Sequence, residues 1–210
     1  MAGMVLAHGA GAGIDHPFMV GVAEALARHG VATWTFNFPY MQAGRRRIDP
    51  RPTLYRTWKV ALETARARWR GGRGPLLAGG KSMGGRVLAE ALARGELGPP
   101  PAGIVFLGFP LHPAGRPGTD RAASLRAIDL PMWFGAGTRD RLADLERLRR
   151  VVAELGPRAT LHVVEGADHG FAVRKRDGRT FEEVLDELAG AAAAWIREHV
   201  SGDEPVTGFR

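Results

Sequence analysis

Residues Pro75-Leu76-Leu77-Ala78-Gly79-Gly80-Lys81-Ser82-Met83-Gly84-Gly85-Arg86-Val87-Leu88 decide the fold. The stretch opens as a short apolar run, Pro75 to Ala78, with the length and character of a strand buried on both faces. It closes as the start of a helix, predicted over Arg86 to Ala93. Between them, Gly80-Lys81-Ser82-Met83-Gly84 fits G-x-S-x-G, a sharp strand-to-helix turn that holds its serine in a strained conformation. Neighbouring backbones nearly touch in such a turn, so the positions two before and two after the serine must lack bulk. Gly80 and Gly84 meet that need.

Gly80-Lys81-Ser82 also matches the end of a phosphate-binding G-x-x-x-x-G-K-[ST] loop. The first glycine of that pattern would fall at Pro75, and Leu76-Leu77-Ala78 reads as strand rather than loop. The nucleotide-binding reading is therefore set aside.

Outward from this turn, the same alternation fills the chain. Short apolar runs at Met4 to Ala7, Val31 to Phe36, Gly103 to Leu107, Met132 to Phe134 and Leu161 to Val164 are strand candidates. Between them apolar residues recur at three and four, as in Phe18, Val22, Ala25 and Leu26, or Trp58, Leu62, Ala65 and Trp69. Leu142, Leu145, Leu148, Val152 and Leu155 mark another stripe. The last helix carries Val184, Leu185, Leu188, Ala192, Trp195 and Ile196, and opens with the capping-box spacing of Thr180 and Glu183. Strand, helix, strand order sustained in this way predicts an α/β three-layer sandwich with a mostly parallel, six-stranded sheet. Gln42 to Thr53 and Gly108 to Thr119, rich in Pro, Gly and Arg, read as loops.

Composition narrows the chemistry. A chain of 210 residues, 45% hydrophobic and 24% charged, predicts one globular domain over residues 1–200, with 201–210 as a flexible tail. It has no cysteine, which excludes thiolate nucleophiles, disulfides and cysteine-ligated metals, so any nucleophile is an oxygen or a nitrogen. The net charge of +7 comes from 26 arginines and 3 lysines against 22 acids. These cations are scattered among acids rather than gathered in one arm, so no nucleic-acid partner is expected. No segment approaches the ~18 consecutive apolar residues of a membrane span, and Met1-Ala2-Gly3-Met4-Val5-Leu6 lacks the basic lead of a secretory signal. A cytoplasmic protein without membrane contact, monomeric or homodimeric, is the expectation.

Function in a parallel sheet sits at the carboxyl ends of the strands. Ser82 follows the third strand; Gly137-Thr138-Arg139-Asp140 follows the fifth, and Asp168-His169-Gly170-Phe171 the sixth. Ser82, Asp140 and His169 follow the order of a nucleophile, orienting acid and base grafted on strand ends. Asp168, adjacent to the histidine, and Asp144, a turn into the next helix, are weaker candidates for the acid. Two backbone N–H groups are placed to stabilise an oxyanion. One is that of Met83 at a helix N-terminus, and the other that of Ala10 in His8-Gly9-Ala10-Gly11-Ala12-Gly13 after the first strand.

These motifs, together with Asn37-Phe38-Pro39-Tyr40 and Gly108-Phe109-Pro110-Leu111-His112-Pro113, resemble the α/β-hydrolases related to dienelactone hydrolase. Within them the chain is most similar to the branch of the testis-expressed hydrolase-like protein and the third subunit of the NSL chromatin complex. The resemblance runs from Leu6 to about Ile196. It implies a minimal α/β-hydrolase fold without a lid domain, with Ser82, His169 and Asp140 as nucleophile, base and orienter. Lysine stands at position 81, where that branch leads one to expect arginine. A chain that begins almost at the oxyanion strand implies a smaller sheet than in larger relatives.

The expected activity is hydrolysis of a small carboxylic ester or thioester, with no metal or cofactor. The alternative is a catalytically weak scaffold of the same fold acting in protein interaction. Tyr40, Phe109 and Leu111 follow strands and are candidates either for an acyl pocket or for plain packing. Arg45 to Arg47, Arg139 and Arg141, and Arg174 to Arg176 with Arg179 fall on loops at the same sheet edge. An electropositive mouth that favours carboxylate- or phosphate-bearing esters is one reading of them; an arginine-rich composition is the other. Arg86, in the first turn of its helix, is expected to pair with Asp15 or Glu90.

Overall fold

A computed structural model describes residues 1–69 and 74–200. The expected tail, 201–210, lies outside the described residues. Six strands form one sheet: β1 (Ala2–Ala7), β2 (Val31–Phe36), β3 (Leu76–Lys81), β4 (Ile104–Leu107), β5 (Met132–Gly137) and β6 (Ala159–Val164). Their order is β2-β1-β3-β4-β5-β6, and every neighbouring pair is parallel. The helices are α1 (Pro17–Arg28), α2 (Pro39–Gln42), α3 (Arg51–Trp69), α4 (Met83–Ala93), α5 (Ala123–Arg126), α6 (Leu145–Leu155) and α7 (Phe181–His199). Among the described residues none is long and apolar enough to cross a membrane.

The alternation of side chains along each strand builds two cores. Val5, Ala78, Ile104, Phe106, Met132 and Phe134 face one layer, where they meet Trp58 and Leu62 of α3, Val87 and Leu88 of α4 and Leu148 of α6. Met4, Leu6, Leu77, Val105 and Trp133 face the other, against Phe18 and Val22 of α1 and Leu188 and Trp195 of α7. The middle strands are therefore apolar on both faces, whereas the edge strands β2 and β6 are mostly half-buried. The fold is the lidless α/β sandwich expected from the sequence.

Element ends differ from the sequence reading where small residues hide them. β3 runs on through Gly79 and Gly80 to Lys81, and β5 through Gly135, Ala136 and Gly137. α4 begins at Met83, directly after Ser82. α3 starts at Arg51, inside the stretch read as loop, where Pro52 is tolerated in a first turn. α6 starts at Leu145 with Asp144 as its N-cap, which leaves Leu142 outside the helix. The capping box at Thr180 and Glu183 opens α7 as expected.

Candidate active site

Ser82 sits between β3 and α4 with φ 49° and ψ −111°, a backbone conformation strained for a residue with a side chain. The turn holds because glycines let three backbones meet. A Cβ on Gly80 would come within 2.2 Å of the Gly85 nitrogen, and one on Gly84 within 2.6 Å of the His8 carbonyl oxygen. Backbone bonds pin both sides: Ser82 N–H donates to Leu107 O, and Arg86 N–H to Ser82 O.

The hydroxyl meets two loops. Ser82 Oγ and His169 Nε2 are 2.8 Å apart, and His169 Nδ1 and Asp140 Oδ2 are also 2.8 Å apart. With Nδ1–H donating to the carboxylate, Nε2 is left to accept the serine proton. Asp140's side chain is 1% exposed and the imidazole 25%, so the acid is sealed and the base faces the mouth. The second oxygen, Asp140 Oδ1, accepts the Leu142 N–H at 2.7 Å. Both oxygens are thereby satisfied, which fixes the rotation of the carboxylate.

The two weaker acids do other work. Asp168 Oδ1 accepts the N–H groups of Gly170 and Ala172, folding the histidine loop on itself. Asp144 caps α6 by accepting the Arg147 N–H. Neither is hydrogen-bonded to the imidazole.

His8 is fully buried and shapes the loop that carries Ala10. Its Nε2 accepts the Phe38 N–H at 3.1 Å, so Nδ1 carries the proton and donates to Gly9 O at 2.7 Å. Burial lowers its pKa, which keeps the ring neutral for this paired role. The sequence marked His8 only as part of a small-residue turn. Met83, as the first residue of α4, has a backbone N–H with no partner inside the helix.

The candidate substrate-binding residues divide. Tyr40, Phe109 and Leu111 are 0%, 1% and 0% exposed, so in this structure they offer no surface to a ligand. Tyr40, on α2, stacks on Phe38, and Phe109 packs on Phe106, so both rings turn into the core. Leu111 instead supports the acid loop, its N–H donating to Leu142 O. Arg139 lies where the basic mouth was expected. With Arg141, Asp168, His169, Gly170 and Arg174 it lines an open pocket of about 580 Å³.

Two of the other loop cations are occupied elsewhere. Arg45 pairs with Asp49 at 2.8 Å, and Arg179 pairs with Glu187. Arg86 pairs with Glu90 at 2.6 Å rather than with Asp15. Glu90 also takes Arg51 at 2.6 Å and the Tyr55 hydroxyl at 3.2 Å, tying α3 to α4 behind the elbow.

A family model described as an alpha/beta hydrolase domain matches residues 1–197, and the chain belongs to that family. Among solved structures it is similar to an alpha-beta serine hydrolase homologue from Coxiella burnetii, at 20% identity and TM-score 0.70, covering 91% of this chain and 84% of that one. A serine hydrolase without lid from Xanthomonas campestris matches at 19% identity and TM-score 0.66, covering 97% and 84%. The dienelactone hydrolase from Anabaena variabilis matches at 19% identity and TM-score 0.68, covering 95% and 87%. At these identities the likeness is one of fold.

Proposed function

We propose that the protein is a serine hydrolase that cleaves small carboxylic esters or thioesters through an acyl-enzyme on Ser82. The observation that carries this reading is the continuous hydrogen-bonded series from Ser82 Oγ through both nitrogens of His169 to the sealed carboxylate of Asp140. In the first half-reaction Ser82 Oγ attacks the carbonyl carbon while His169 Nε2 takes its proton. The tetrahedral oxyanion is held by the N–H groups of Ala10 and Met83; one such donor is typically worth about 100- to 1,000-fold in rate. The oxyanion then collapses, the bond from the carbonyl carbon to the leaving oxygen or sulfur breaks, and that atom takes the proton from His169. A water, deprotonated by the same nitrogen, releases the carboxylic acid and restores the serine. Asp140 orients the imidazole and stabilises its positive form throughout. We place the chain in the cytoplasm and in the branch named above.

The pocket beside His169 favours anionic substrates in this reading. Three arginines, Arg139, Arg141 and Arg174, and one acid, Asp168, are among the residues that line it, and Arg139 is held by donation to Gly166 O at 2.9 Å. Esters with a carboxylate or phosphate are expected to show kcat/KM at least about tenfold above neutral esters of matched size at low salt, and the gap is expected to shrink as salt screens it. Equal values in low salt would remove the anionic preference.

The nucleophile is tested by incubating the protein and its Ser82→Ala variant with a fluorophosphonate and measuring intact masses. One adduct on the wild type and none on the variant supports the reading. No adduct on either would turn attention to a scaffold role for the fold.

A further inference from the structure

Lys81 is a buried cation for which the acyl-transfer steps have no use. It stands one residue before Ser82 at the end of β3 and is 8% exposed. Its Nζ donates to the carbonyl oxygen of His169 at 2.6 Å. The same Nζ lies 5.3 Å from the ring centroid of Phe171 and 5.5 Å from that of Phe18. Gly108, at the end of β4, closes another side, since a Cβ there would come within 3.1 Å of Nζ. The charged groups that face the ammonium are Asp140 from the loop after β5 and Asp168 from the loop after β6. His169 itself is the other titratable group beside it, while α1 and the loop after β1 bring only Phe18 and Gly9.

A lysine in this place is unfavourable as mere filling. Burying an ammonium carries a desolvation penalty that a methionine of similar volume would avoid. What the charge does gain is a charge-assisted bond to the backbone of the residue that carries the base. That backbone needs holding: Phe171, two residues on, has φ 63°, a left-handed conformation unfavourable for a bulky side chain. Phe171 stacks on Phe18 at 5.5 Å, so the aromatic pair and the ammonium grip the same loop from one side.

We propose that Lys81 is a positioning residue whose charged ammonium clamps the His169 loop to the strand that ends in Ser82, and that the imidazole meets the serine only while this clamp holds. The proposal rests on the reading of Ser82 as nucleophile. It assigns a built-in upper pH limit to the site. Burial lowers the Lys81 pKa from 10.5 to about 8, against the opposing pull of Asp140 and then Asp168. Above that value the amine is neutral, and the bond to His169 O loses its charge assistance.

The titration of Lys81 does not itself favour unfolding at that limit. Between about 8 and 10.5 the unfolded chain binds this proton and the folded chain does not, so the contribution of Lys81 to stability rises with pH in that window. Activity and this part of stability therefore move in opposite directions.

The test is the second-order rate of fluorophosphonate labelling of Ser82, followed by intact mass from about pH 6 to about pH 10, with correction for reagent hydrolysis. The wild-type rate is expected to fall on the alkaline side with a midpoint of about 8. In K81R, whose guanidinium stays charged, the rate is expected to hold level to the end of the range. In K81M the rate at neutral pH is expected to be at least about tenfold lower with no alkaline midpoint, while its melting temperature is not reduced. Lys81 is merely structural, and the proposal overturned, if K81M labels within about threefold of the wild type, if the wild-type rate stays level throughout, or if K81R keeps the same midpoint. The wild-type profile decides alone if either variant fails to fold. Absence of labelling at every pH removes the nucleophile reading itself, an outcome distinct from labelling that ignores Lys81.

Discussion

Ser82 and His169 approach to 2.8 Å, yet the backbones that present them are held in different ways. The elbow is made by omission. Gly80 and Gly84 remove the side chains that would block Gly85 and His8, and the strained φ of Ser82 is imposed by strand and helix closing directly on it. The histidine loop is made by addition. Asp168 gathers two amides, Phe171 stacks on Phe18, and Lys81 reaches across from β3 to the His169 carbonyl. A turn specified by what is missing is rigid, because the backbones that close on it, including that of His8, cannot swing aside. A loop specified by its own acid and by contacts from two distant segments, α1 and β3, fails when any one of them fails.

The contrast can be broken at several points. The largest effect is expected at Asp140→Asn, which keeps the shape of the site but reverses one end of the His169 bond. Activity should drop about 10,000-fold by analogy with orienting acids in general, with little change in melting temperature. An activity loss below about tenfold would mean that another group orients the imidazole.

Gly84→Ala attacks the elbow itself. The new Cβ meets backbone oxygens of His8 and Ala7 at 2.6 and 2.8 Å, neither of which can swing aside. A destabilisation on the order of 3 kcal/mol or more is expected in denaturant unfolding. A variant with wild-type stability would show that the turn is looser than its geometry implies.

Asp168→Ala should be mildest, and it sharpens the comparison because it loosens only the histidine loop. Losing the bonds to Gly170 and Ala172 at this half-buried site is expected to lower activity by about tenfold, with a stability loss of about 1 kcal/mol. Removing this anion also removes support for the Lys81 ammonium, so any alkaline midpoint in activity should move below about 8. A midpoint that moves upward would contradict the sign of that interaction.

Much of this was legible in the chain, and unevenly so. The six strands and the order of Ser82, Asp140 and His169 followed from apolar runs and the residues just after them, since both are set by sequence near at hand. Glu90 was already one of two named partners for Arg86, because four residues along a helix places them on one face. The apolar run Met132 to Phe134 understates β5, because Gly135 and Gly137 carry no side chain to signal a strand. The structure shows why they are bare: a Cβ on Gly135 would press on Leu188 and Trp133, and one on Gly137 on the Ala167 carbonyl. Tyr40, Phe109 and Leu111 were placed by strand ends, which fix where a residue sits along the sheet but not whether its side chain turns outward or into the core.

The sequence by itself determined the class: a parallel sheet wrapped by helices, an elbow that demands two glycines, and three reactive residue types at three strand ends. Periodicity and the G-x-S-x-G spacing are written over a few residues, so they can be read although the clash that Gly84 avoids lies with His8, far off in the chain. Only the tertiary structure decided how the histidine loop is held, which acid faces the imidazole, and where the lysine beside Ser82 makes its bond. Lys81 and the His169 carbonyl are 88 residues apart in the chain. A bond across that distance leaves no local trace, because its energy comes from burial and charge that exist only once both segments share one interior.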